Sequence, residues 1–159
     1  MLFMALALGA IEPPARPAEV EVVRDPITDE IRAYATVRDG GERVVVSCAP
    51  ADYDGARVTF HSRRWLARGN LFTGERPVTY RFDTLPPVRW MWDVEHRRGR
   101  IGDDDKVRAF LAGLTSAERL VIRVRDIENS RHDMSFRLVD VRPAVEQALA
   151  ACAEYEGED

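Results

Sequence analysis

The chain is built from short segments in which apolar and polar residues alternate with period two, each closed by Gly, Pro, Asn or Asp. Val20 and Val22, then Ile31, Ala33, Ala35 and Val37, then Val44, Val46 and Cys48 follow this pattern. So do Val58 and Phe60, Val78, Tyr80 and Phe82, and Val88, Trp90, Trp92 and Val94. Successive side chains on a strand point to opposite faces, so each segment predicts a strand with one buried face. Asp39-Gly40-Gly41 supplies the positive-φ residues of a tight turn and predicts a hairpin over residues 30–48. Pro86-Pro87 divides two later strands, because proline cannot donate into a central ladder. Short strands at this spacing predict an antiparallel, sandwich-like or curled sheet.

Two stretches break the period. Val107, Phe110, Leu111 and Leu114 fall at i, i+3, i+4 and i+7 after Asp103-Asp104-Asp105, which predicts a helix capped by an aspartate. Strands resume at Leu120, Ile122 and Val124 and at Met134, Phe136 and Leu138 across a polar turn at Glu128-Asn129-Ser130-Arg131. A final helix begins near Asp140, with Pro143 in its first turn and Val141, Val145, Leu149 and Cys152 on one stripe. The predicted class is α+β: a β-rich antiparallel sheet with two helices, the C-terminal one packed on the sheet.

A chain of 159 residues, 45% apolar and 31% charged, suits one globular domain. Residues 19–159 are assigned to it. Residues 1–18 read as a signal remnant and linker: an apolar run to Ala10, then Pro13, Pro14 and Pro17. The run lacks a basic n-region, so either the start site is misplaced upstream or the segment is not a signal; the signal is the favoured reading, and export to the periplasm or outside the cell is the expectation. No stretch reaches the roughly 20 apolar residues of a membrane helix. A net charge of -4 argues against general nucleic-acid binding, which needs excess positive charge. Lys106 is the only lysine, and arginine usage across a whole chain reports coding composition more than a ligand.

Cys48 ends an inward alternation and Cys152 lies on the inward stripe of the last helix, so both reach toward the core. They show no Cys-x-x-Cys spacing, which leaves a structural disulfide, the favoured reading, or two buried thiols. His61, His96 and His132 are isolated, and no metal-ligand spacing, serine elbow or phosphate-cradling glycine loop occurs. No catalytic residue, metal or cofactor is therefore assigned. His132 beside Asp133 is read as a turn residue, and His96 beside Glu95 as a local charge pair.

The candidate binding residues are arginines. Arg81, Arg89, Arg123, Arg125 and Arg137 occupy outward strand positions and form one anion-binding ladder if those strands are neighbours. Asp83, Asp93 and Asp126 alternate nearby and are expected to neutralise much of that field. His96-Arg97-Arg98-Gly99-Arg100 and Arg63-Arg64-Trp65 read as basic loops suited to an anionic surface. Trp65, Phe72, Trp90 and Trp92 read as core or loop packing.

Four segments carry a family likeness: Asp25-Pro26-Ile27-Thr28-Asp29, Val44-Val45-Val46-Ser47-Cys48, Val78-Thr79-Tyr80-Arg81-Phe82-Asp83 and Ala151-Cys152 in a helix. With them the chain resembles the type VI secretion-associated VasI/TagO-like exported proteins of proteobacteria, over about Arg24 to Cys152. The tryptophan usual before the first strand of that family has no counterpart between Val20 and Arg24. The resemblance implies a non-enzymatic exported accessory protein of the cell envelope, with a protein partner. The rival readings are a phage or mobile-element protein that binds an anionic polymer, and a small hydrolase.

Overall fold

The computed structural model describes residues 13–48, 56–68 and 74–156. Its strands are β1 (Glu19–Arg24), β2 (Ile31–Asp39), β3 (Glu42–Cys48), β4 (Arg57–His61), β5 (Glu75–Phe82), β6 (Val88–Glu95) and β7 (Arg98–Arg100), followed by β8 (Arg119–Arg125) and β9 (Arg131–Arg137). Helix α1 (Asp104–Leu114) lies between β7 and β8, and α2 (Val141–Glu156) ends the chain. Among the described residues the strands form one antiparallel sheet in the order β1-β2-β3-β4-β7-β6-β5-β8-β9. The fold is thus β-rich α+β, as the alternating pattern predicts, with α2 packed on β1, β2 and β3. Neither helix is long and apolar enough to cross a membrane.

The period-two residues form the core. Ala33, Ala35 and Val37 of β2, Val44, Val46 and Cys48 of β3, Val58 and Phe60 of β4, and Val78 and Tyr80 of β5 are all buried. Helix α1 presents Val107, Phe110 and Leu114 to this face, and the Phe110 ring sits 4.9 Å from Tyr80, 5.2 Å from Phe82 and 5.6 Å from Trp92. Asp103 caps α1 by accepting from the Lys106 amide at 3.0 Å, which satisfies a donor that has no partner within the helix. On α2 the buried stripe is Val141, Ala144, Val145, Ala148 and Cys152; Leu149 lies at its margin, so two alanines let the helix approach closely.

The Gly40-Gly41 turn has φ values of 55° and 85°, and Asp39 pairs with Glu42 across it. Two successive positive φ angles match the twist of a two-residue hairpin. β7 departs from the expected basic loop: residues 98–100 join β4 to β6 within the sheet. Gly99 makes this possible, since a Cβ there would sit 2.3 Å from Cε1 of Phe60. A three-residue strand centred on glycine has no alternation to betray it.

The sheet curls until its last strand returns to its beginning. The Ala18 amide donates to the Val139 carbonyl at 2.9 Å, and β9 lies against β2 and its hairpin. The segment after β4 also crosses to the β8–β9 turn: Leu66 bridges to Asp126. Cys48 and Cys152 form a disulfide, with α-carbons 6.3 Å apart and a sequence separation of 104. A loop of that size corresponds to about 4–5 kcal/mol of stabilisation in the chain-entropy account.

Candidate anion-binding cleft

The tip of the β2–β3 hairpin places Arg38, Asp39, Glu42 and Arg43 around one tight turn, with Arg38 opposite Arg43. Glu42 occupies the inward register of Val44 and Val46 and is 7% exposed. A carboxylate so placed needs a partner, since burying it alone costs far more than a hydrogen bond returns. His132 supplies it from the inward face of β9, with Nε2 at 2.7 Å from Oε1 of Glu42. This corrects the reading of His132 as a turn residue: it is 4% exposed and joins the two ends of the curled sheet. Arg63 approaches the same carboxylate at 3.8 Å.

The β3–β4 register sets Arg43 opposite His61, and Ser62 and Arg63 follow directly. The Ser62 amide donates to the Arg97 carbonyl at 2.7 Å, and the Leu66 amide to the His96 carbonyl at 2.6 Å. The two basic segments expected to meet an anionic surface are therefore neighbours. Between them, the hairpin tip, Arg137 and the 13–16 segment lies a cleft of about 640 Å³. Arg16, Arg38, Arg43, Arg63, Arg97 and Arg137 line it, against Asp39 and Glu42.

Some of this charge is committed. Arg38 pairs with Glu19 at 3.1 Å, and Arg137 with Asp39 at 3.3 Å. Arg16, Arg43 and Arg97 have no carboxylate partner among the described residues, and Nε of Arg43 is buried without a hydrogen bond. His61 registers the resulting field. Burial, then Arg43, Arg98 and Arg38, hold its pKa below the ordinary 6.5. In a chain with a net charge of -4, this cleft gathers six arginines at one concave surface.

The five predicted arginines are divided by the fold. Arg89, Arg123 and Arg125 share a smaller depression of about 290 Å³ on the outer face of β5, β6, β8 and β9, together with Arg76 and Arg131. Arg137 belongs to the cleft, and Arg81 turns back to donate to the Asp83 carbonyl at 3.0 Å. The neutralising acid is not among those expected. Asp133 accepts from Nε and one terminal nitrogen of Arg123 at 2.7 and 2.8 Å, and this guanidinium pulls its carboxyl pKa below the usual value. Asp93 pairs with Arg100, while Asp83 and Asp126 accept backbone amides at turns. Arg125 donates to the Asn129 carbonyl at 2.6 Å.

His96 does form the expected local pair with Glu95, at 3.4 Å. Trp92 is buried in the core and Trp90 packs 5.3 Å from Tyr80, but Trp65 is 48% exposed; Phe72 lies outside the described residues. Of the cleft residues, Arg38 and Arg43 had a readable signal, since they flank Gly40-Gly41, whereas nothing local marks Arg16. Nothing local marks Glu42 as the partner of a histidine 90 residues away.

A serine hydrolase would need a hydroxyl aligned with the His132–Glu42 pair. The serine that lines the cleft, Ser62, uses its Oγ to accept from the Arg64 amide at 2.9 Å. Among the described residues no three His, Cys, Asp or Glu side chains are grouped to hold a metal ion. Comparison with family models, curated proteins and solved structures finds no match to the chain.

Proposed function

We propose that this chain is a non-enzymatic accessory domain of the bacterial cell envelope that binds an anionic partner in the arginine cleft. One observation carries the reading: Arg16, Arg43 and Arg97 converge on a 640 Å³ cleft without carboxylate partners, in a chain that is acidic overall. Unpaired guanidinium groups at a concave surface offer forked donors to carboxylate or phosphate, and a cleft focuses their field. The disulfide supports a site of action outside the cytoplasm, since such bonds persist where thiols oxidise. Secretion association and a protein partner come from the family likeness over Arg24 to Cys152.

The test is equilibrium binding of polyphosphate to the intact oxidised chain at 50 and 200 mM salt. Three arginine–phosphate contacts, each contributing a slope of about -0.7, weaken binding roughly twentyfold over that range. Absence of binding at the lower salt concentration overturns the proposal.

A further inference from the structure

Trp65 stands beside the cleft and is the one exposed large aromatic side chain among the described residues. The Arg97 guanidinium, which lines the cleft, lies 4.8 Å from the Trp65 ring centroid, and the His96 ring meets it edge-on at 5.6 Å. Both contacts fix the indole while leaving Trp65 48% exposed. Its backbone is held as well, the Trp65 carbonyl accepting from the Ile127 amide at 3.1 Å. An aromatic ring held in place loses little entropy when it accepts a ligand. The part of the indole that Arg97 and His96 leave uncovered is a contact surface open to a ligand.

The size of the cleft and the placement of its arginines select among anions. Six arginines line a cleft of about 640 Å³, more donors and more room than one phosphate fills. That arrangement fits an extended ligand with spaced charges. Sugar rings turn C–H edges of partial positive charge toward the electron-rich face of an indole. Single-stranded nucleic acid also stacks on aromatics, but it uses successive rings to hold successive bases, and here Phe60 and Trp92 are fully buried.

We infer that the cleft takes an acidic polysaccharide, with Trp65 holding a sugar ring beside the arginines that bind its charges. The inference rests on the anion-binding reading of the cleft and adds the class of ligand. It joins the oxidising location implied by the disulfide to a polymer class found outside cells, and it gives Trp65 a role that packing does not.

The experiment compares polygalacturonate, polyphosphate and an oligothymidylate on the intact oxidised chain, and on Trp65→Ala and Trp65→Phe. Trp65→Ala weakens polygalacturonate about tenfold, the equivalent of one stacked ring, while Trp65→Phe weakens it less than about threefold. Polyphosphate binding changes less than about twofold in both variants, which also shows that the arginines remain in place. Equal loss for polygalacturonate and polyphosphate, no loss for either, or a larger Trp65 dependence for oligothymidylate overturns the sugar assignment and leaves the anion-binding cleft standing. Failure of the unaltered chain to bind any of the three polymers overturns both readings.

Discussion

Nε2 of His132 lies 2.7 Å from Oε1 of Glu42, joining two buried side chains 90 residues apart where β9 closes against the β2–β3 hairpin. The contact fixes the back wall of the arginine cleft, because Glu42 and its neighbour Arg43 are carried on the same strand end. Removing one side of such a pair costs more than weakening it, since the group left behind has lost both water and partner. His132→Phe therefore destabilises by about 3 kcal/mol in urea unfolding, and Glu42→Gln, which keeps a hydrogen-bonding oxygen, by about 1 kcal/mol. Equal losses below about 0.5 kcal/mol would show that the contact does not hold the closure.

The Cys48–Cys152 bond ties β3 to α2 and closes most of the domain. The purified chain is expected to titrate with no thiols until it is reduced. The variant with both cysteines changed to serine loses about 4 kcal/mol in the same assay, against a typical domain stability of about 5–15 kcal/mol. Two reactive thiols in the native, air-purified protein would contradict the assignment.

Two glycines separate close packing from backbone strain. Gly99→Ala drives a methyl group to 2.3 Å from the Phe60 ring at the fully buried centre of the sheet, and costs about 3 kcal/mol or more. Gly40→Ala meets nothing within 4 Å and carries only the strain of φ 55°, about 1 kcal/mol. Thermal unfolding of the two variants ranks them. A reversed order would mean that β7 does not lie against Phe60.

His61 makes stability depend on pH with a definite sign. Its folded pKa is held below 6.5, so the unfolded chain takes up the proton more readily. The stability owed to neutral His61 is complete above 6.5 and is lost as pH falls from there through the folded value. NMR titration of the ring shows the depressed value directly. Arg43→Ser and bound polyphosphate both raise it, because each reduces the positive field. A ring that titrates at or above 6.5 in the unliganded protein would contradict the electrostatics of the cleft.

Local pattern reaches as far as local physics does. The alternation of Ala33, Ala35 and Val37, the Gly40-Gly41 turn, the Asp103 cap and the inward Cys152 all follow from rules that span a few residues, and each stands in the structure where it was expected. The basic segments at 63–65 and 96–100 are visible as runs of charge, but their adjacency is not. It arises because the sheet orders β4, β7 and β6 together. The division of the arginines depends on the same long-range closure, since Arg137 meets Asp39 only when β9 returns to the hairpin. Arg123 and Asp133 are similarly matched by the β8–β9 register, across a turn whose exact pairing a one-residue slip would change.

The cleft account is tested most directly by comparing polyphosphate affinity in two charge-matched variants. One removes Arg16, Arg43 and Arg97 as serines; the other removes Arg76, Arg89 and Arg125 from the outer face. The account predicts that the first loses at least about tenfold in affinity, through loss of unpaired donors in the cleft, and that the second stays within about twofold of the unaltered chain. Equal losses, or a larger loss from the outer face, would contradict it.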